Sequence, residues 1–295
     1  MTALPGPTPA DLLPDGSAIR LVVCDMDGTL LGADGRISLR TWEMIRAMRS
    51  AGIVFVPASG RQYATLADLF ADIHDGLTVI AENGTVVMRD GVEIAIEPLP
   101  GGVADSVVDV VRDLGSGTPE GGERRGCGAV VCTPQMAYTE REDEDFLREA
   151  RRYYHALTTV ADLHDIPGEP VKVAIFTFGE AEDSVAPALR AAGIDSLADV
   201  VVSGHHWVDV MPPNVNKGVA LERLQAALGV RRDETMVFGD YLNDLEMMDY
   251  AEASVAMANG HTDVIQRSRY VAPRHDLDGV AQVLEHVLGP RLARR

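Results

Sequence analysis

Leu21-Val22-Val23-Cys24-Asp25-Met26-Asp27-Gly28-Thr29-Leu30 is an apolar run that ends in two carboxylates one residue apart. Continuous apolar runs are the mark of buried parallel strands, and open α/β sheets carry their functional groups just past the carboxyl ends of such strands. Two acidic side chains at the mouth of one strand repel each other, so they require a cation nearby or a proton on one of them. An Asp nucleophile at 25, an Asp acid/base at 27 and a Mg²⁺ ion satisfy that requirement together. A strand followed by an Asp-Gly turn explains Asp27-Gly28 but gives no reason for Asp25.

Working outward, the same arrangement of apolar strand and polar turn recurs. Ser59-Gly60-Arg61 follows Ile53-Val54-Phe55-Val56-Pro57-Ala58, and Gly239-Asp240-Tyr241-Leu242-Asn243-Asp244 follows Thr235-Met236-Val237-Phe238. Asn216-Lys217-Gly218 opens a helical pattern, and Glu82-Asn83-Gly84 closes the strand 77–81, where it shapes a site or merely turns the chain. Apolar spacing predicts helices over 39–50, 63–72, 103–114, 144–157, 182–192, 218–228, 242–250 and 278–288. Their alternation with strands is the βαβ rhythm of a parallel sheet. That rhythm breaks after residue 84, where two short strands flank Asp90-Gly91, a hairpin signal. The fold expected is α/β, with a doubly wound, parallel-sheet (Rossmann-like) core and an inserted α+β cap domain. The boundaries expected are a flexible tail over 1–19, a discontinuous core over 20–84 and 200–295, and a cap over 85–199.

In that order, the four stretches at 25–30, 59–61, 216–218 and 239–244 resemble the motifs of the haloacid dehalogenase superfamily of phosphotransferases. With Glu82-Asn83-Gly84 and the closing Val255-Ala256-Met257-Ala258-Asn259, the pattern is similar to the Cof-type branch, whose cap is of the larger type (IIB). The resemblance covers nearly all of the chain beyond residue 19 and is weakest between 100 and 170. It implies that Ser59 holds the transferring phosphoryl group, that Lys217 neutralises its charge, and that the Asp27 carbonyl faces the metal. It also implies Asp240 as a metal ligand beside Asp25 and Asp27. Which of Asn243 and Asp244 touches the metal, and which acts through water or by holding Lys217, stays open. Gly60 leaves its amide accessible to phosphate, and Arg61 binds phosphate or pairs with a core carboxylate. Mg²⁺ suits these hard oxygen donors together with retained waters and a substrate phosphate.

Composition narrows the partners. The formal net charge is −19 with no basic stretch to offset it, which argues against nucleic acid and anionic membranes. A phosphate ester would be repelled at long range, so local cations must capture it. The chain has only two lysines, Lys172 and Lys217, among 26 basic Lys and Arg residues; one falls where the resemblance needs an ammonium, and the other is expected to be a structural or surface charge. Three cysteines form no CxxC pair and no even set, which fits a reducing cytoplasm. Cys24 is expected to pack as a small hydrophobe, and Cys127 and Cys132 lack zinc-ligand spacing. His205 and His206 are adjacent on a strand-like segment and point to opposite faces, so they do not share a metal. Met247 and Met248 read as helix packing. The Gly-rich loop 115–128 is particular to this chain and sits where substrate choice is expected.

The reading is a cytoplasmic, Mg²⁺-dependent phosphatase, monomeric or homodimeric, acting on small phosphorylated metabolites such as sugar phosphates through an aspartyl-phosphate. A phosphomutase of the same superfamily, or a non-hydrolytic phospho-acceptor module, are the alternatives.

Overall fold

The computed structural model describes residues 5–73, 75–116 and 126–293. In chain order the elements are β1 (Leu21–Asp25), α1 (Leu39–Ser50), β2 (Val54–Ala58), α2 (Tyr63–Leu69), β3 (Thr78–Ala81), β4 (Val86–Arg89), β5 (Val92–Ile96), α3 (Val103–Ser116), β6 (Gly128–Cys132), β7 (Ala137–Thr139) and α4 (Glu144–Ala150). They continue as β8 (Leu157–Thr159), β9 (Lys172–Phe176), α5 (Ala181–Ala191), β10 (Asp199–Gly204), β11 (Trp207–Met211), α6 (Lys217–Leu228), β12 (Thr235–Gly239), β13 (Ala253–Met257), α7 (Thr262–Arg267), β14 (Tyr270–Ala272) and α8 (Gly279–Leu292). Two compact units result, one formed by 1–60, 72–95 and 216–295, the other by 61–71 and 96–215.

The first unit is built on an eight-stranded sheet in the order β14-β13-β12-β1-β2-β3-β4-β5. Every pairing from β14 to β3 is parallel, and β3 turns back into an antiparallel β4. From β1 the chain proceeds outward through β2 and β3, then returns to the opposite side of β1 for β12, β13 and β14. The carboxyl ends of β1 and β12 therefore meet at the point where strand order reverses, the place where such sheets bind ligands. Strands buried on both faces need apolar residues throughout, and β1 and β12 are fully buried along their length. One side of the core joins Leu21, Val23, Val56 and Val237 to Leu221 and Leu224 of α6.

The second unit is a six-stranded sheet in the order β10-β11-β9-β6-β7-β8, antiparallel except for β7 with β8. Val107 and Val111 of α3 and Val185 and Leu189 of α5 pack with Val131, Val173, Ile175 and Val208 in its core. Residues 61–71 belong to this unit because the segment 153–156 binds them. Gln62 Nε2 donates to the Ala156 carbonyl (3.0 Å), its Oε1 accepts from the Ala156 amide (2.9 Å), and Thr65 Oγ1 donates to the Tyr153 carbonyl (2.8 Å).

The boundaries expected from sequence shift accordingly. The hairpin 86–96 extends the eight-stranded sheet, since the turn after β3 folds β4 straight back onto it in the register Ala81↔Val86. Strands 199–211 belong to the second sheet, where β11 pairs with β9. Local patterning marks a strand but not its partner, and a hairpin signal fits the antiparallel edge of a mostly parallel sheet as well as a separate antiparallel one. The helix expected over 242–250 is two short 3-10 turns, Leu242–Asp244 and Met247–Tyr250. The one expected over 144–157 stops at Ala150, and Leu157 starts a strand. Most of the loop 115–128 lies outside the described residues.

The amino-terminal segment is not a loose tail over its described length. The Thr8 amide donates to the Val271 carbonyl and its hydroxyl accepts from the Val271 amide, both at 2.8 Å. Ile19 is buried, and Gly16 lies against α8 so closely that a Cβ there would meet the Val287 carbonyl oxygen. Replacing Gly16 by Ala should lower the unfolding free energy in urea by about 1–3 kcal/mol, the usual cost of overpacking; an unchanged midpoint would contradict this packing.

Candidate active site

Asp25 is the last residue of β1 and is buried, and the chain leaves it through a tight turn in which Gly28 has φ +84°. A left-handed φ is strained for a residue with a Cβ, and a Cβ here would also strike the Asp240 carboxylate, so the turn requires glycine twice over. Thr29 Oγ1 donates to Asp240 Oδ1 (3.0 Å). Asn259 Nδ2 donates to the Gly28 carbonyl (2.8 Å) and Asn259 Oδ1 accepts from the His275 amide (3.0 Å), which pins the turn from the far side.

Lys217 is the first residue of α6, whose start is capped by Asn216 Oδ1 accepting from the Val219 amide at 2.9 Å. Its side chain is fully buried, and Nζ donates to Asp25 Oδ1 (2.5 Å) and to Asp244 Oδ1 (2.7 Å). The second oxygen of Asp244 accepts from the backbone amides of Asp240 (2.9 Å) and Tyr241 (3.2 Å). Asp244 is thus held at both oxygens. Asp25, Asp240 and Asp244 bring carboxylate oxygens within 4.8 Å of one another, the one group of this kind among the described residues.

Three carboxylates face one ammonium in a site largely closed to water. Burial, followed by the charge of Asp244, pushes the Asp25 carboxyl well above its ordinary range, with Lys217 opposing. The same two causes raise Asp240 to about 6. Burial pulls against the charge on Lys217, yet Asp244 and Asp25 outweigh it and hold the ammonium above its usual range. Negative charge is therefore in excess here, and oxygen donors in that state suit a hard divalent cation.

Asp27 is exposed within the turn after β1. Ser59 is buried just after β2, its amide donating to the Ile80 carbonyl at 2.9 Å and its carbonyl accepting from the Asn83 amide at 3.0 Å. Gly60 sits against the Asn83 side chain. Asn243 Nδ2 donates to Asn83 Oδ1 at 3.2 Å. The Arg61 guanidinium, in the second unit, lies 5.8 Å from the centre of the Tyr153 ring. Thr29 and Asn259 have site roles that the sequence reading passed over, although both stand inside stretches it quoted. Cys24 is buried on β1, where burial and then Asp25 push its thiol well up, in keeping with a packing role. Lys172 is no surface charge; it is buried on β9 with its ammonium 5.3 Å from the centre of the Tyr154 ring. His205 and His206 occupy the exposed turn between β10 and β11 and engage Glu180 and the Gly179 carbonyl respectively.

Residues 22–284 match the family of haloacid dehalogenase-like hydrolases. The chain belongs to that family. Among the relatives of this haloacid dehalogenase-like hydrolase is the 5-amino-6-(5-phospho-D-ribitylamino)uracil phosphatase YbjI of Escherichia coli, 31% identical over 277 residues, spanning 92% of this chain and 97% of that protein. The Bacillus subtilis phosphatase YitU, named for the same substrate, is 28% identical and spans 90% and 96%. The crystal structure of TM0651 from Thermotoga maritima superposes with a TM-score of 0.77 at 26% identity, over 90% and 97% of the two chains. No helix among the described residues is long and apolar enough to cross a membrane.

The excess charge has a measurable sign. A carboxyl whose folded pKa is raised stabilises the fold most below its unfolded pKa, and that contribution is lost as pH rises through the folded value. Without divalent metal, Asp240→Asn should therefore melt above the wild type at pH 7.5, with the gap closing as pH falls through about 6 towards the usual carboxylate range. Millimolar Mg²⁺ should raise the melting temperature of the wild type more than that of the variant. A wild type that melts higher in chelator at pH 7.5 would show that the three carboxylates do not repel.

Proposed function

We propose that this hydrolase is a Mg²⁺-dependent phosphomonoesterase for small phosphorylated metabolites, working through a phosphoryl group carried on Asp25. The observation that carries the reading is the buried Lys217 ammonium bridging Asp25 and Asp244 at the switch point of the sheet. Asp25, Asp240 and Asp244 present the charge and the oxygen donors for Mg²⁺, with Asp27, through its carbonyl, and Asn243 as further candidates. When bound, the ion supplies positive charge that keeps Asp25 ionised and offsets the phosphate oxygens.

Phosphate monoesters hydrolyse very slowly unaided, so positioning and charge neutralisation must supply most of the acceleration. With Oδ1 of Asp25 turned to Lys217, attack on phosphorus is assigned to Oδ2, forming the O–P bond as the ester O–P bond breaks. Asp27 delivers a proton to the departing alkoxide. It then takes a proton from the water that attacks the phosphoenzyme, releasing inorganic phosphate and restoring Asp25. The exposure contrast supports this division, because a nucleophile profits from a fixed, dry setting while an acid/base must exchange protons. Ser59 and the Gly60 amide are assigned to the phosphoryl oxygens, and Lys217 to their charge. Arg61 is assigned to the phosphate as well, and the choice of ester to the inserted segment, whose resemblance to the family is weakest between residues 100 and 170. The names of two relatives make 5-amino-6-(5-phospho-D-ribitylamino)uracil, a phosphorylated sugar alcohol attached to a pyrimidine, the first ester to test.

Purified protein should release phosphate from such esters, lose activity in excess chelator, and regain it with Mg²⁺ but poorly with Ca²⁺, which does not favour octahedral geometry. Asp25→Asn should abolish the phosphoenzyme and lower kcat by roughly 10³-fold or more. Asp27→Asn should slow departure of poor leaving groups more than that of activated aryl phosphates. Full turnover in chelator would overturn the metal assignment, phosphate trapped on another residue would overturn the nucleophile, and return of the phosphoryl group to the organic product would make the enzyme a mutase.

A further inference from the structure

We propose that Asn83 is a positioning residue that ties the loop after β2 to the loop after β12, an inference that rests on the phosphatase reading above. Between β3 and β4 the chain passes through three consecutive left-handed residues, Glu82 (φ +50°), Asn83 (φ +56°) and Gly84 (φ +105°). Only glycine adopts that region freely, Asn tolerates it, and a glutamate there is strained. Strain of this kind persists where the surroundings over-determine it, and it concentrates at functional sites.

What the turn touches gives the strain a purpose. The Asn83 amide donates to the Ser59 carbonyl (3.0 Å), and Asn83 Oδ1 accepts from Asn243 Nδ2 (3.2 Å). Both amide atoms of the side chain would lie 3.0 Å from a Cβ on Gly60, so the Gly60 backbone rests directly on them. At Gly84 a Cβ would run into the Asn216 carbonyl and stand 3.0 Å from the Lys217 amide nitrogen. One three-residue turn therefore contacts the segments that carry Ser59, Lys217 and Asn243, all within the first unit. A hairpin turn alone needs a residue that accepts a left-handed backbone, which Gly also provides; it does not need a buried amide bonded to a different loop. Groups held within a fraction of an ångström by such outer contacts transfer phosphoryl faster than loosely held ones.

Asn83→Gly separates the two roles, since it keeps the left-handed backbone and deletes only the amide. It should lower kcat by about 10-fold with KM changed less than about 3-fold, while the melting temperature stays within about 2 °C of wild type. If the amide acts through Asn243, the double variant Asn83→Gly/Asn243→Ala should fall no more than about 3-fold below Asn243→Ala alone. A readout independent of turnover is the ¹⁵N side-chain amide pair of Asn243, identified by its disappearance in Asn243→Ala, which should shift in Asn83→Gly. Activity of Asn83→Gly within 2-fold of wild type, losses that multiply in the double variant, or an unmoved Asn243 amide would each overturn the proposal. A wild type that hydrolyses no phosphate ester would overturn the functional reading instead, and the amide resonance would still decide whether the two loops are tied.

Discussion

One buried ammonium between two carboxylates is the constraint around which the first unit closes. Lys217 reaches Asp25 at the end of β1 and Asp244 beyond the end of β12, so three segments far apart in sequence are fixed by one charge. Removing the ammonium would leave two buried carboxylates without a counter-charge, a loss that is commonly about 3–5 kcal/mol. The pair does not explain itself by stability, because apolar residues of similar volume would often do as well. What it leaves is an excess of negative charge gathered at one point, a state of oxygen donors that suits a hard divalent cation.

The glycines of the site follow from the same compression. Gly28 lies under the Asp240 carboxylate, and a Cβ at Gly239 would stand 2.6 Å from the Cβ of Asp244. Each acid is therefore brought to the centre over a backbone stripped of its side chain. The turn that carries Asp27 is shaped by Gly28, so Asp25 at the buried strand end and the exposed Asp27 differ in surroundings although a single residue separates them. The roles proposed for them rest on that difference of position: one carboxylate is fixed and buried, the other open to solvent.

The core of the fold was legible in the sequence because β1, β2, β3, β12 and β13 are apolar on both faces and are each followed by a polar turn. Of the residues expected to form the site, Asp25, Lys217, Asp240 and Asp244 are brought together at the ends of those strands. Strand partnership was not legible. The 86–96 hairpin and strands 199–211 carry no mark of their sheet in their own residues, and the contacts that assign each to its sheet lie in other segments. The turn at 242–250 has a helical pattern of Leu242, Leu245 and Met248, yet Asp244 accepts two backbone amides of its own loop, which holds the first turn in a 3-10 geometry. Asn83 was ambiguous because Asn-Gly is a turn signal first; its side-chain partner sits 160 residues away.

The same logic accounts for how the chain spends its cations. Its arginines form exposed pairs such as Arg40 with Glu285 and Arg267 with Asp249, and none of them is buried among the described residues. Both lysines are buried, Lys217 among carboxylates and Lys172 over the Tyr154 ring. A guanidinium is a planar fork that needs width, whereas an ammonium is a compact charge that enters a narrow gap. At the switch point of the sheet the gap is set by β1, β12 and the start of α6, and Nζ meets two carboxylates within 2.7 Å. An arginine at 217 would have to push Asp25 away from the strand end where attack on phosphorus is assigned, so the choice of lysine is a consequence of the spacing between two parallel strands.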